Sequence, residues 1–156
     1  MITKYLIVFL ISMVPLIELR GAIPYAVAFH IPTLPAYLIA VIGNMLPVPI
    51  IFLFARKVLV WGCDKKYIGK FFTWCLEKGE KGGEKLKAKA GRGLPLALLL
   101  FVGIPLPGTG AWTGALVAAL LRMRFGKAFA AILLGIAMAT IIMSVLSYGV
   151  LGVLFG

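Results

Sequence analysis

The chain is too apolar and too sparsely charged for a soluble domain, because 62% of its 156 residues are hydrophobic and 13% are charged, against roughly 45–50% and about 25% in soluble proteins. One globule of this length cannot bury that much apolar surface, so we expect an integral membrane protein with a single membrane domain over residues 1–156. The net charge of +11 does not indicate a nucleic-acid partner, since the sequence has no base-reading motif and no soluble fold to carry one.

Four apolar segments make up most of the chain, and each has about the length of a transmembrane helix, which needs about 20 residues: 5–31, 34–61, 94–121 and 127–155. We expect the second and fourth to be continuous helices. The second contains Asn44 and two prolines, Pro47 and Pro49, that should bend it, and the fourth contains glycines suited to close helix approach. The start of the chain does not read as a cleaved signal peptide, because it has one early lysine and no small-residue cleavage site.

The first apolar segment contains the stretch "PLIELRGAIPYAV", residues 15–27. Here Glu18 and Arg20 stand among apolar residues, and Pro15, Gly21 and Pro24 are predicted to break the helix around them. Glu18 is the only acid in the four apolar segments. Because ionisable groups inside a membrane are costly, they mark functional sites by default.

The basic segment between the second and third apolar segments carries most of the charge. Eleven of the sixteen Lys and Arg residues and four of the five acids lie between Arg56 and Arg92, which predicts a cytoplasmic location by the positive-inside rule. Within it, residues 61–76 have the spacing of an amphipathic helix lying on the inner leaflet, and 77–93 read as a Gly-broken connector. Cys63 and Cys75 are expected to form neither a disulfide in a reducing cytoplasm nor a zinc site.

The third apolar segment is broken at its centre by "GIPLPGTGAWTG", residues 103–114. If it crossed the membrane, the cations that follow it would lie outside, against the positive-inside rule. Its arms, 94–104 and 111–121, are each about 16 Å long as helices, which is half of a roughly 30 Å hydrocarbon core. We therefore expect a re-entrant hairpin that returns these cations to the inside as topology anchors: Arg122, Arg124 and Lys127.

The same reasoning makes the first segment a re-entrant hairpin that dips in from the outside. The predicted fold is all-α and membrane-embedded, with two inverted repeats, each a re-entrant hairpin followed by a transmembrane helix. Inverted repeats with interrupted helices meeting at the midplane are typical of secondary transporters, and the site lies where the tips meet. The predicted organisation is repeat one at 1–62 (hairpin 5–31, helix 34–61), a basic cytoplasmic segment at 63–93, and repeat two at 94–156 (hairpin 94–121, helix 127–155).

Three stretches carry a family resemblance: "PLIELRGAIPYA" (15–26), "GNMLPVPIIF" (43–52) and "GIPLPGTGAWTGALVAALL" (103–121). They resemble the signature blocks of the small multidrug export protein family, which is similar to the wider DedA/VTT superfamily built on two facing re-entrant hairpins. The resemblance implies membrane transport, either proton-coupled drug export or movement of lipids and polyprenyl phosphates between leaflets. Where the superfamily's second hairpin usually carries arginines around its turn, this chain has Thr109 and Trp112.

We expect the site to lie between the two hairpin tips, with Glu18 as a proton carrier and Arg20 as a fixed cation for an anionic group. The alternative is a structural ion pair between the two. Asn44 is either a polar wall of the site or an interhelical contact. Backbone N–H groups freed near the second turn offer anion-binding donors. The candidate substrate- and proton-binding residues are Glu18, Arg20, Gly21, Pro24, Asn44, Pro105, Pro107, Gly108, Thr109, Gly110 and Trp112.

The predicted function is a small transporter in the inner or plasma membrane that exports small amphiphilic molecules with proton coupling. The alternatives are a DedA-type lipid or polyprenyl-phosphate flippase and a non-transporting scaffold. An enzyme is not expected, because the apolar segments hold one acid and the single histidine, His30, should lie at the outer interface. No cofactor or metal is predicted. The expected partners are membrane lipids, an amphiphilic or lipid-phosphate substrate, protons and a second copy of the chain in a homodimer.

Overall fold

The computed structural model describes residues 1–15, 17–74, 76, 77, 81, 88, 93–105 and 109–155, with the side chain of residue 155 excepted. The described part is helical and contains no strand, which confirms the predicted all-α class. Seven helices are numbered here in chain order: α1 (Ile2–Met13), α2 (Glu18–Ala28), α3 (Thr33–Met45), α4 (Pro47–Cys63), α5 (Leu94–Gly103), α6 (Ala111–Leu120) and α7 (Phe125–Phe155).

Two of the helical stretches are long and apolar enough to cross a membrane. One is Thr33–Cys63, which joins α3 and α4, and the other is Phe125–Leu154 in α7. Leu46 keeps helical backbone angles and donates its N–H to the Ile42 carbonyl, so α3 continues directly into α4. The prolines after Leu46 lie at the start of α4, where a missing N–H costs least.

The first apolar segment is interrupted only between α1 and α2. Val14 is extended (φ −71°, ψ 125°) and ends α1, and α2 begins at Glu18, whose φ of 47° is positive. The prediction that Gly21 and Pro24 also break the helix is wrong, because both lie inside α2. Gly21 serves close packing instead: a Cβ there would overlap Ile17 and lie 3.3 Å from the Ile11 side chain in α1.

The third apolar segment is interrupted between α5 and α6. The two helices end within one residue of the predicted arms. Ile104 is extended (φ −77°, ψ 121°) after α5, and Gly110 precedes α6 with a φ of 136°. Residues 106–108 lie outside the described part of the chain, so the predicted site residues Pro107 and Gly108 are not described.

The short helices pack against the long ones in a matched pattern. α1 packs on α3, and α5 packs on α7. At the first contact a Cβ on Gly43 would lie 2.9 Å from the Phe9 carbonyl oxygen, and at the second a Cβ on Gly135 would lie 2.8 Å from the Leu99 carbonyl oxygen. The second helix of each pair crosses over: α2 packs on α7 and α6 packs on α4. The core is therefore shared between the two halves of the chain.

α2 and α6 end in the same kind of turn. After α2, the His30 N–H bonds the Val27 carbonyl and the Ile31 N–H reaches back to Ala26. After α6, Arg122 and Met123 make the corresponding bonds, to Ala119 and Ala118. This is the Schellman pattern, which usually has glycine at its left-handed position. Here that position holds His30 (φ 50°) and Arg122 (φ 53°).

The described start of the basic segment folds back on the end of α4. Residues 61–63 complete α4, 64–68 form turns and 69–74 are helical, so the amphipathic helix predicted over 61–76 is interrupted. The turn is tight, because a Cβ on Gly69 would lie 2.6 Å from the Cys63 carbonyl oxygen, and Phe72 packs directly on Gly62. Cys75 and most of 78–92 lie outside the described residues.

Candidate functional site

Glu18 lies where the two interrupted segments meet. The residue is 5% exposed. Its carboxylate oxygens accept hydrogen bonds from the first two backbone N–H groups of α6, Ala111 N to Oε2 at 3.1 Å and Trp112 N to Oε1 at 3.2 Å. The first N–H groups of a helix have no partner within the helix, and the helix dipole favours negative charge there. Glu18 therefore caps α6 from the other half of the chain.

Gly110 makes this approach possible. A Cβ on Gly110 would lie 2.9 Å from both Cδ and Oε1 of Glu18 and closer still to Oε2. Its backbone angles (φ 136°, ψ −172°) belong to a region that is essentially restricted to glycine. Both the conformation and the missing side chain are thus required for the carboxylate to reach the end of α6.

Arg20 also bonds to the second interrupted segment. Its guanidinium Nη2 donates to the Thr109 hydroxyl, and that hydroxyl donates to the Ile104 carbonyl at 2.9 Å. Ile104 is the residue that ends α5, so the chain of bonds joins α2 to both sides of the break. Arg20 is half-buried and lies near enough to Glu18 for an attractive charge interaction.

Asn44 forms a third side of the site. It is 1% exposed, in the last turn of α3, and its side chain lies beside the Glu18 carboxylate. Its Oδ1 has no hydrogen-bond partner among the described residues. A buried unpaired oxygen is costly, so this acceptor is available to any donor that enters the site.

Trp112 ties the site to α1. Its indole Nε1 donates to the Met13 carbonyl at 3.1 Å, and Met13 is the last residue of α1. The end of a helix leaves carbonyls without partners in the helix. The Trp112 indole donates to one of these carbonyls in α1 and so links the second interrupted segment to the first.

The structure brings together Glu18, Arg20, Asn44, Thr109 and Trp112, with Gly110 beside them. It separates two candidates from this site: Gly21 faces α1, and Pro24 lines a different cavity against α7. Sequence reasoning expected backbone N–H donors near the second turn but assigned them to a bound anion and not to Glu18. It missed the carbonyl acceptors of Met13 and Ile104. Among the described residues no group of three His, Cys, Asp or Glu residues could hold a metal ion.

The family model described as "Putative small multi-drug export protein" matches residues 18–142. The chain belongs to this family. The match begins at Glu18 and covers α2 to α6 and just over half of α7, so the side chains of the site fall within it. Together with the two long apolar helices, family membership supports the predicted membrane protein. No curated protein and no solved structure matches the chain.

Proposed function

We propose that this chain is a proton-coupled transporter that exports small amphiphilic molecules, with its site at the junction of the two interrupted segments. The observation that carries the proposal is the buried Glu18 carboxylate on the N-terminus of α6. It is a titratable group at the contact between two halves of the molecule. A change in its charge therefore acts on the contact itself.

Matched spacing and packing in the two halves support an inverted repeat as part of this proposal. The long helical stretches Thr33–Cys63 and Phe125–Phe155 have 31 residues each. Three pairs of residues are separated by an identical number of positions in the sequence: Thr33 and Phe125, His30 and Arg122, and Gly43 and Gly135. The last two pairs also share their backbone turn or their close contact with a short helix. Because α2 packs on the opposite half's long helix and α6 does the same in return, a twofold relation between the halves explains the whole pattern.

Helix lengths support re-entrant hairpins. α1 and α2 have 12 and 11 residues, and α5 and α6 have 10 each. At 1.5 Å per residue these are about 15–18 Å long, roughly half of a 30 Å hydrocarbon core. Non-helical backbone near the membrane midplane must be enclosed by protein or face water. Here the breaks in the two segments lie against each other.

Protonation of Glu18 offers a mechanism for coupling. As a carboxylate, Glu18 accepts two N–H bonds, and such charge-assisted bonds are about twice as strong as neutral ones. Protonation places a hydrogen on one carboxyl oxygen and makes that oxygen a weaker acceptor, so the bond from one N–H of α6 weakens. The Asn44 Oδ1, which has no partner among the described residues, can accept a hydrogen bond from the new O–H. Protonation then loosens the contact between the halves and opens the junction to substrate.

Arg20 supports a second candidate, a flippase for lipid phosphates. It is a half-buried cation whose planar guanidinium suits phosphate, and its partner Thr109 lies two residues before the start of α6. An anionic head group would compete with Thr109 for Arg20. This function needs Arg20 more than Glu18, so the two variants separate the candidates.

The test is reconstitution in liposomes with two substrates, a cationic dye and a labelled polyprenyl phosphate, each with and without a pH gradient. Proton-coupled export predicts gradient-dependent dye movement that is abolished in Glu18→Gln and retained in a variant of a lipid-facing glycine, Gly149→Ala. Lipid movement without dye movement, lost in Arg20→Ala, favours the flippase. Gradient-driven dye transport by folded Glu18→Gln protein overturns the proton-carrier role.

Topology is tested separately by cysteine labelling in a chain whose native cysteines are replaced by serine. A cysteine at Thr33 should react from outside, whereas cysteines at Lys81 and Arg124 should react only from inside. Labelling of the Arg124 position from outside contradicts the second re-entrant hairpin and, with it, the inverted repeat.

A further inference from the structure

A groove lies between α4 and the turn that joins α6 to α7, away from the Glu18 junction. Its volume is about 760 Å³. α4 contributes apolar and aromatic side chains and two of the cations, and the turn after α6 contributes the third cation. The described residues that line it are Phe52, Leu53, Arg56, Lys57, Val60, Trp61, Ala119, Arg122 and Met123.

Three cations converge on this groove from two elements. Arg56 and Lys57 belong to α4, two turns before its end at Cys63, and Arg122 follows α6. Arg56 is half-buried, while Lys57 and Arg122 are exposed. The distance along α4 from Arg56 to the end of that helix is about 10 Å. If the end of α4 lies at the membrane surface, Arg56 lies near the boundary between lipid head groups and acyl chains.

Arg122 occupies a backbone position that favours glycine. Its φ of 53° is left-handed, which is unfavourable for a residue with a Cβ. A helix that needed only a stop would use glycine there. An arginine at this position therefore carries a conformational cost that glycine would avoid.

The other half of the molecule provides an internal comparison. The corresponding groove, between α2 and the end of α7, has a volume of about 320 Å³. None of the described residues that line it is charged: Pro24, Ala28, Met143, Leu146, Ser147, Val150 and Leu151. The packing of a short helix against a long one therefore does not itself require cations in the groove.

We propose that the groove at Arg56, Lys57 and Arg122 binds an anionic phospholipid of the adjacent leaflet. The phosphate would lie among the three cations, since arginine forks match phosphate oxygens. An acyl chain would lie along the apolar wall of Phe52, Leu53 and Val60. The wall argues for a lipid over a free phosphate, because a small hydrophilic anion gains nothing from apolar surface.

Cations near membrane boundaries also act as topology anchors, and that role would use Arg124 and Lys127 as well as Arg122. Lipid binding in the groove can be distinguished from topology anchoring, because neither Arg124 nor Lys127 is among the described residues that line the groove. Arg124→Gln and Lys127→Gln are therefore matched controls for Arg122→Gln: each removes one positive charge from the same end of the molecule.

The experiment uses the full chain purified in a neutral detergent and titrated with phosphatidylglycerol brominated on its acyl chains, which quenches nearby tryptophan fluorescence. Trp61 lines the groove, whereas the other two tryptophans, Trp74 and Trp112, are not among the described residues that line it. We therefore expect a saturable component of the quenching that is lost in Trp61→Phe. Brominated phosphatidylcholine should bind more weakly. Arg122→Gln and Arg56→Gln should each weaken phosphatidylglycerol binding about tenfold, the effect of one charge-assisted hydrogen bond, and both control variants should bind as wild type.

Three results of the lipid titrations overturn the proposal. They are equal affinity for the two lipids, an equal loss in the Arg124→Gln and Lys127→Gln controls, and a saturable component of the quenching that persists in Trp61→Phe. Competition by soluble glycerol phosphate at the same concentration as lipid would assign the site to a free anion and also overturn it. If Arg56→Gln does not fold, the exposed positions Lys57 and Arg122 carry the test. Failure here leaves the transport assays unaffected, because they concern Glu18 and Arg20.

Discussion

Substitution of Gly110 by alanine is the most direct test of the junction between the halves. The new Cβ would lie within 2.9 Å of Cδ and Oε1 of Glu18 and nearer to Oε2. Real Cβ atoms do not approach other atoms so closely, and the neighbour is a carboxylate fixed by two backbone N–H groups. The carboxylate must leave α6, and we expect a large loss of stability.

Two contributions set the magnitude. Each hydrogen bond to a charged group contributes about 1.5–3 kcal/mol, and both N–H bonds to Glu18 are lost. The backbone angles of Gly110 (φ 136°, ψ −172°) add about 1–3 kcal/mol of strain for a residue with a Cβ. Gly110→Ala should therefore lower the free energy of unfolding by about 4 kcal/mol or more, a large fraction of the 5–15 kcal/mol typical of folded proteins.

The assay is the unfolding free energy in mild detergent, measured for wild type, Gly110→Ala and the control Gly149→Ala. Gly149 lies in α7, and the Cβ that alanine would add there has no atom within 4 Å among the described residues. Alanine is also the better helix former by about 1 kcal/mol, so the control should equal or exceed wild type. A Gly110→Ala protein as stable as the control would refute the reasoning.

A double-mutant cycle identifies the source of the loss. In a Glu18→Ala background no carboxylate remains to be displaced, so Gly110→Ala should cost only its backbone strain, about 1–3 kcal/mol. The difference between the two backgrounds measures the coupling between Gly110 and Glu18. Equal costs in both backgrounds would show that the carboxylate is not what the new methyl group meets.

Two further substitutions test contacts outside the carboxylate. Trp112→Phe removes the indole donor to the Met13 carbonyl and should lower the unfolding free energy by about 0.5–1.5 kcal/mol; an unchanged thermal unfolding curve would contradict this contact. Gly135→Ala places a methyl group 2.8 Å from the Leu99 carbonyl oxygen and should cost about 1–3 kcal/mol, whereas Gly126→Ala, with open space around it, should change the same unfolding measurement little.

The sequence predicted the helices better than the contacts between them. The density of proline and glycine after α5 located that break, and the helices on either side end within one residue of the expected arms. The same residue types misled at Gly21 and Pro24, because a glycine that admits a neighbouring helix and a proline inside α2 look in sequence like breaks. Tertiary packing decides between the two uses, and a single sequence does not contain it.

The partners of Glu18 could not be predicted for a different reason. The carboxylate bonds backbone N–H groups of Ala111 and Trp112, more than ninety positions away in the chain, and every residue except proline has such a group. The sequence left an ion pair between Glu18 and Arg20 open as an alternative to the proton-carrier hypothesis. The structure gives each of them a separate partner on the second interrupted segment.

This geometry changes what a neutral substitution at Glu18 means. Both carboxylate oxygens accept an N–H, but glutamine offers one acceptor and one NH₂ donor. Glu18→Gln therefore sets a donor against the N–H of either Ala111 or Trp112, and it should lower stability whether or not Glu18 carries protons. Loss of stability alone cannot separate a structural clamp from a proton carrier. Transport must be normalised to folded protein: a clamp predicts unchanged pH-driven transport per folded molecule, and a proton carrier predicts none.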